Sequence, residues 1–339
     1  MSIVLCLLVL VSMLLFGLTL SSTAQTPDPA ESDDIERRVA SILEQMTLQE
    51  KIEYLGGVDR FDIRSISRLG IPRFKMADGP LGVRNYGPST AMAAGIALAA
   101  SWDTALAERV GAAIGRDARA KGVHFLLGPG VNIYRAAMNG RNFEYLGEDP
   151  FLAGAIAAGF IRGVQGQGVC ATVKHYAGNN SEFDRRRSNA LIDQRTLREM
   201  YLPAFEMAIR DARVGAVMTS YNLVNGRYMS QNGPLINDIL KKEWGFDGIV
   251  MSDWTSTYDG VEAANGGLDL EMPSAVAMNR YVFLQAIAEE TVSTKTIDDK
   301  VARILRTAVR FGWLDRDQKD LGVPRYSRDG ADAALEAAR

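Results

Sequence analysis

Asp253 is the residue whose position first suggests chemistry in this sequence. It follows the apolar run Ile249-Val250-Met251 and is followed at once by Trp254. A short β-branched run without alternation is typical of a buried parallel strand, and catalytic groups collect at the carboxyl ends of such strands. An adjacent indole ring can stack on the apolar face of a ligand. For a single aspartate, a helix cap or a turn is the alternative interpretation.

The same arrangement recurs after other apolar runs. The polar residues that follow them are Asp78, Asn132 with Arg141 and Glu144, Lys174 with His175, Tyr221 with Asn222, and Glu271. Taken singly, each has a structural explanation: a turn residue, a core histidine or an ordinary ion pair. Their shared position at strand ends favours one common site. Charged groups that hydrogen-bond hydroxyls, together with aromatic rings, indicate a polyhydroxylated ligand.

Strand-like and helix-like segments alternate between residues 74 and 272. The predicted strands are 74–76, 124–127, 169–173, 215–218, 248–251 and 267–270. The predicted helices are 102–120, 146–164, 196–212, 235–242, 258–264, 276–290 and 296–311. This order predicts an α/β fold, a (β/α)8 TIM-type barrel. The first strand is not followed by a Gly-x-Gly-x-x-Gly turn, which argues against a dinucleotide-binding fold.

Composition excludes several classes of function. The chain has 339 residues, a net charge of -3 and no long basic run, so we expect no nucleic-acid partner. It has two histidines, His124 and His175, and no paired His or Cys motif, so we predict no metal. Neither a Gly-x-Ser-x-Gly elbow nor a phosphate loop is present, and we predict no cofactor.

The first 24 residues predict export. Residues 3–20 are almost wholly apolar, and Ser22-Thr23-Ala24 offers small residues for a signal peptidase. We therefore predict a signal peptide over residues 1–24, a periplasmic or extracellular protein, and no stable membrane association after cleavage. An uncleaved anchor is the alternative, because no Lys or Arg precedes the run and 18 residues can just span a bilayer.

The motifs together resemble glycoside hydrolase family three, the β-glucosidase family. They are Ala77-Asp78-Gly79-Pro80, Gly140-Arg141-Asn142-Phe143-Glu144, Lys174-His175-Tyr176-Ala177, Ser220-Tyr221-Asn222 and Ser252-Asp253-Trp254. The resemblance covers most of residues 36–311. It implies that Asp253 is the nucleophile of a retaining β-glucosidase, which forms a covalent glycosyl-enzyme.

The resemblance also implies how the sugar is held. Asp78, Arg141, Lys174 and His175 would bind the hydroxyls of a small-molecule or oligosaccharide β-glucoside, with Tyr221 beside the nucleophile. Trp254 is a further candidate for binding the substrate, through its ring. The Asp78-Gly79-Pro80 form is similar to the glucosidase branch rather than to β-xylosidases. The β-N-acetylglucosaminidase branch has a histidine in the loop that here occupies residues 178–181, where this sequence has none.

The proton donor is the element that the resemblance places elsewhere. Two-domain members of the family take their acid/base glutamate from a second, α/β-sandwich domain. We expect residues 25–316 to form the catalytic barrel, and residues 317–339 to be a linker and the start of that further domain. A catalytically silent sugar-binding barrel, and an enzyme with a local acid at Glu182 or Glu144, are the alternatives. We also expect Lys174, Arg141 and His175 to depress the pKa of Asp253.

Overall fold

The computed structural model describes residues 29–324 and 327–339. Their strands are β1 (Gly57–Val58), β2 (Asp62–Ile63), β3 (Phe74–Asp78), β4 (Phe125–Leu127), β5 (Cys170–Tyr176), β6 (Asn189–Ala190), β7 (Ala216–Thr219), β8 (Leu223–Val224), β9 (Arg227–Tyr228) and β10 (Ile249–Met251). The α-helices are α1 (Pro29–Gln45), α2 (Leu48–Tyr54), α3 (Gly95–Ala100), α4 (Thr104–Lys121), α5 (Pro150–Gln165), α6 (Gln194–Thr196), α7 (Pro203–Arg210), α8 (Gly260–Gly266), α9 (Arg280–Ala288), α10 (Thr294–Arg310) and α11 (Arg328–Ala337). The predicted signal peptide lies outside the described residues.

The main sheet closes on itself to form a barrel. Its order is β1-β2-β3-β4-β5-β7-β10, and β3, β4, β5, β7 and β10 run parallel. The ring is completed by Leu270, which pairs in parallel with Met251, and by Glu271, which pairs in parallel with Gly56. The N–H of Gly57 donates to the carbonyl of Glu271 at 2.9 Å. Within residues 29–324 this gives eight strand positions around one ring, and the predicted (β/α)8-type barrel is confirmed.

The ring departs from the regular pattern at its second and last positions. Strand β2 is antiparallel to both β1 and β3, so β1 and β2 form a hairpin with no helix between them. The predicted strand at 267–270 is reduced to the bridge at Leu270. The carboxylate of Asp269 accepts the N–H of Val250 at 2.8 Å, so a side chain replaces a backbone carbonyl of the ladder there.

The predicted helices are present around the barrel, with one interruption. In the predicted helix 196–212, a π-helical turn over Leu197–Tyr201 precedes α7, which begins at Pro203. A proline has no N–H to give to the preceding turn, and this favours the wider turn. The predicted helix 235–242 is a π-helix over Pro234–Glu243. A small lateral sheet of β6, β8 and β9 was not predicted, because strands of two residues leave no pattern.

The segment after α10 packs back onto the barrel. The side chain of Gln318 donates to the carbonyls of Val123 at 2.7 Å and Gly168 at 3.0 Å, at the amino ends of β4 and β5. Helix α11 lies against α4, where Ala333 and Ala337 are buried. The predicted domain boundary after residue 316 stays a prediction. Among the described residues, no helix has the length and apolar character needed to cross a membrane.

Candidate active site

A pocket of about 360 Å³ opens at the carboxyl ends of the barrel strands. It is lined by Phe61, Asp78, Arg84, Leu127, Arg141, Phe143, Glu144, Lys174, His175, Glu182, Arg185, Met218, Tyr221, Asp253 and Trp254. The predicted nucleophile and the six predicted sugar-binding residues are all in this set, as is Glu144, whereas the strand-end residues Asn132, Asn222 and Glu271 are not. The structure therefore brings together side chains that lie far apart in the sequence.

The strands deliver these side chains to one face. Asp78 is the last residue of β3, Tyr221 follows β7, and Asp253 follows β10. Lys174 and His175 are consecutive residues of β5, and consecutive side chains of a regular strand point to opposite sides. The register of β5 against β7 shifts between residues 174 and 176, and such an irregularity re-aims a side chain. Both side chains line the pocket as a result.

Asp253 is buried at the base of the pocket. Its Oδ1 accepts the N–H of Trp254 at 2.7 Å. Its Oδ2 lies 3.5 Å from Nε2 of His175 and 3.8 Å from an Nη of Arg141. No donor among the described residues meets Oδ2 in hydrogen-bond geometry, although the Tyr221 hydroxyl is near enough to the carboxyl to lower its pKa. One carboxylate oxygen is thus fixed by the backbone, and the other faces the pocket.

The pKa of Asp253 lies above the usual aspartate value, because burial outweighs the lowering by Arg141, the Trp254 N–H, Lys174 and Tyr221. The expectation of a depressed pKa is therefore wrong: Arg141 and Lys174 lower it, but by less than burial raises it. Burial and the charges of Arg141 and Lys174 hold the pKa of His175 well below its usual value. His175 is therefore neutral and adds no positive charge beside the aspartate.

His175 is held by Asn132, which the sequence analysis placed among the strand-end groups, and by Tyr145, to which it gave no role. The Asn132 side chain accepts the N–H of His175 at 2.8 Å and donates to its carbonyl at 2.9 Å. The hydroxyl of Tyr145 lies 3.2 Å from Nδ1 of the ring. Asn132 carried a signal, since it is polar and follows a strand. Tyr145 carried none, because a buried tyrosine looks like any core aromatic.

Ion pairs join the basic residues of the pocket to carboxylates. The ammonium of Lys174 lies 2.8 Å from Asp78 and 3.6 Å from Glu144, and Arg141 pairs with Glu144 through its Nε. Arg84 donates to the other oxygen of Asp78 at 3.0 Å. Burial alone would raise the pKa of Asp78, but Lys174 and Arg84 bring it below its usual value. Asp78 is therefore ionised at neutral pH.

The outer part of the pocket combines a further ion pair with aromatic rings. Arg185 donates to Glu182 at 2.6 Å, and its guanidinium lies over the ring of Tyr221 at 3.9 Å. The ring of Trp254 contacts that of Phe61 with centroids 5.0 Å apart. Phe61 comes from the unpredicted β1–β2 hairpin, so sequence reasoning missed it. These rings supply the apolar surface on which a sugar face can pack.

Glu271 does not belong to the pocket, and its expected place with the other strand-end groups is wrong. Its carboxylate accepts the backbone N–H groups of Val276, Ala277 and Met278 at 2.6–3.1 Å. These bonds hold the loop that follows the barrel, so the residue is structural. Among the described residues, no cluster of three or more His, Cys, Asp or Glu side chains could hold a metal ion.

Comparisons with known proteins agree with this geometry. Residues 28–307 match the glycosyl hydrolase family 3 N terminal domain. The chain is 45% identical over 284 residues to a β-glucosidase of Rhizobium radiobacter, covering 82% of this chain and 35% of that protein.

Solved structures give the same result. β-Glucosidase 3B from Thermotoga neapolitana in complex with glycerol superposes with a TM-score of 0.82 at 36% identity, covering 88% of this chain and 46% of that one. The β-glucosidase of Kluyveromyces marxianus in complex with glucose gives 0.84 at 34% identity, covering 88% and 38%. The chain spans about a third of the length of the curated relatives it matches.

Proposed function

The chain belongs to glycosyl hydrolase family 3, and on that basis we propose that its barrel cleaves β-glucosides by way of a covalent glycosyl-enzyme on Asp253. The observation that carries the proposal is the carboxylate of Asp253. One of its oxygens is bound by a backbone N–H, and the other faces a polar pocket without a hydrogen-bond partner among the described residues. A nucleophile needs such an oxygen directed at the anomeric carbon.

The remaining predicted residues would bind the sugar. Asp78 is ionised and can accept hydrogen bonds from two neighbouring hydroxyls, while Lys174 and Arg141 donate to others. His175, neutral and buried, faces the same space. Tyr221 and Trp254 would cover the apolar face of the ring. Relatives described as β-glucosidases, one of them solved with glucose, support glucose as the sugar that this set accepts.

Leaving-group departure needs a protonated carboxylic acid about 5 Å from the nucleophile. Three further carboxylates line the pocket, and each has a basic partner: Asp78 has Lys174, Glu144 has Arg141, and Glu182 has Arg185. Lys174 and Arg84 hold Asp78 ionised, and the guanidinium groups of Arg141 and Arg185 pair with the carboxylates of Glu144 and Glu182. None of the three carboxylates is therefore unpaired and directed at a leaving group. We infer that the acid/base belongs to a further α/β-sandwich domain, for which residues 317–339 would be the linker and start.

Two alternatives remain distinct from this proposal. If Glu182 or Glu144 serves as the acid, the barrel alone is a complete enzyme. If no acid acts at all, the barrel is a sugar-binding module. Every other carboxylate that lines the pocket is ion-paired. This favours the sugar-binding module over the enzyme with a local acid.

An assay with two substrates separates these cases. An aryl β-glucoside with an activated leaving group needs little protonation, whereas cellobiose needs the acid. The proposal predicts slow aryl cleavage, and cellobiose cleavage about 10²–10⁴-fold slower than in the protein extended by the downstream domain. Equal rates on cellobiose would establish a local acid, and cleavage of neither substrate would establish a binding module. Aryl β-xylosides and N-acetylglucosaminides should be poorer substrates than the glucoside.

The nucleophile has its own test. A 2-fluoro glucoside with a good leaving group should label one carboxylate covalently, and peptide mapping should find the label on Asp253. The matched control is Asp253→Asn, which keeps the shape of the side chain and should not be labelled. A label on Glu182 would refute the assignment.

Export completes the proposal. Residues 1–24 would direct the chain to the periplasm or the medium and be removed after Ala24. Amino-terminal sequencing of the mature protein should begin at Gln25, and a start at the initiator residue would indicate the uncleaved anchor.

A further inference from the structure

Two buried polar side chains, those of Tyr145 and His175, form a chain that leads to Oδ2 of Asp253. The hydroxyl of Tyr145 lies 3.2 Å from Nδ1 of His175, and Nε2 of that ring lies 3.5 Å from Oδ2 of Asp253. Tyr145 and His175 are fully buried. The Asn132 side chain bonds both the N–H and the carbonyl of His175, which fixes the backbone of that residue. The ring is therefore held at its backbone and at one nitrogen, and its other nitrogen points to the site.

The charges around the ring determine its protonation. Arg141, Lys174 and Arg185 are the cations that act on it, and Asp253 is the carboxylate that faces it. The cations and the burial keep the imidazole neutral, so one of its nitrogens carries the hydrogen and the other is an acceptor. Which nitrogen carries it decides whether His175 can donate a hydrogen bond into the pocket.

Two arguments assign the hydrogen to Nε2. Burial raises the pKa of the Tyr145 hydroxyl, so the phenol keeps its proton. No other hydrogen-bond acceptor for that hydroxyl is found among the described residues, so the phenol donates to Nδ1 of His175. An Nε2–H facing Oδ2 of Asp253 is attractive, whereas a lone pair there would repel an anionic oxygen.

We propose that Tyr145 is a positioning residue, which fixes His175 as the Nε2–H tautomer so that the ring donates to Asp253 or to a sugar hydroxyl bound beside it. The consequence of this tautomer for catalysis rests on the proposed function, but the assignment of the tautomer does not. Asn132 contributes by holding the backbone that orients the ring. Neither residue has to touch the substrate in order to act.

The tautomer can be measured directly, because the chain has two histidines. Protein labelled with ¹⁵N-histidine should give two sets of ring signals, assigned with His175→Gln, and both should show a protonated Nε2. His124 is an internal reference, since its Nδ1 accepts the backbone N–H of Lys75 at 3.0 Å. A protonated Nδ1 on His175 in the unmodified protein would overturn the proposal without any variant.

Tyr145→Phe removes the donor and keeps the ring. We expect the His175 signals to shift toward a mixture of tautomers while the His124 signals stay in place. The matched control is Tyr176→Phe, which also removes a buried hydroxyl, one that donates to the carbonyl of Leu235 at 2.8 Å. If Tyr145→Phe leaves the His175 signals unchanged, Asp253 alone selects the tautomer and the proposal fails.

Kinetics gives a second readout that a merely structural residue would not move. With an aryl β-glucoside, Tyr145→Phe should shift the acid limb of kcat/KM upward by about 0.4–1 pH unit, the equivalent of one hydrogen bond to the carboxylate. Tyr176→Phe should leave the limb unchanged, and a limb equally unmoved in Tyr145→Phe would contradict the proposal. If the tautomer responds but no glucoside is cleaved by any form, the proposed function fails and the role of Tyr145 in setting the tautomer stands.

Discussion

Replacing Asp78 with asparagine removes the carboxylate that lies 2.8 Å from the buried ammonium of Lys174. Breaking a fully buried ion pair typically destabilises a protein by about 3–5 kcal/mol. Here the Asp78 side chain is 30% exposed, and Lys174 keeps Glu144 at 3.6 Å, so the expected loss is about 1–3 kcal/mol. At roughly 2 °C per kcal/mol for a large domain, Tm should fall by about 2–6 °C.

Unfolding measurements on four proteins isolate the contribution of the Asp78–Lys174 ion pair to stability. Urea titrations of the unmodified chain, Asp78→Asn, Lys174→Met and the double variant should give a coupling free energy of about 1–3 kcal/mol. Arg84→Met is the matched control: it removes the other cation bound to Asp78, but that side chain is 66% exposed, so the loss should be about 0–1 kcal/mol. Glucose binding by calorimetry should be lost in Asp78→Asn.

Two results would refute this reasoning. Additive losses in Asp78→Asn and Lys174→Met would mean that the ion pair contributes nothing to stability. Glucose binding that survives in Asp78→Asn would mean that Asp78 positions Lys174 and holds no hydroxyl of the sugar.

Three further predictions follow from other groups. Asp253→Asn should abolish turnover without lowering Tm, because it removes a buried charge; calorimetric melting at several pH values checks this. Since the folded-state pKa of Asp253 is raised, its contribution to stability is greatest at low pH and is lost as pH rises through that pKa. The Tm of the unmodified protein relative to that of the variant should therefore be highest in acid. In pH–rate profiles, kcat/KM should begin to fall on the acid side above the usual aspartate value of 3.8. Glu271→Gln should reduce the free energy of unfolding by about 1–3 kcal/mol, because an amide has one oxygen for three backbone donors, and should leave glucose affinity unchanged.

The barrel could be predicted because its parallel strands are buried on both faces. Runs such as Ile249–Met251 must be apolar throughout, and that requirement is visible in the sequence. The β1–β2 hairpin could not be predicted in this way, since its strands are two residues long. Leu270 was expected to end a strand, but the N–H of Val250 bonds to the side chain of Asp269 there instead of to a backbone carbonyl.

The membership of the pocket was more predictable than its electrostatics. Polar residues after strands must meet at one face, and this placed Asp78, Lys174 and Asp253 together. Proximity to cations suggested a low pKa for Asp253, yet the desolvation that raises it depends on packing that no local pattern records. Glu271 follows the same strand-end rule and turns away, because three backbone N–H groups compete for it.

Closure of the ring by the β1–β2 hairpin has a consequence for synthesis on the ribosome. The indole N–H of Trp254 donates to the carbonyl of Arg60, 194 residues earlier in the chain. Gly57 bonds to Glu271, which is synthesised later than Trp254. The ribosome adds about 5–20 residues per second, so roughly 10–40 s pass between the synthesis of the hairpin and that of its partners. Throughout that interval one edge of β1 has no strand to pair with, and an open edge invites pairing with other chains. The first strand of the described residues is thus among the last to be paired in the barrel, and the nascent protein is most vulnerable to aggregation until residue 271 has left the exit tunnel.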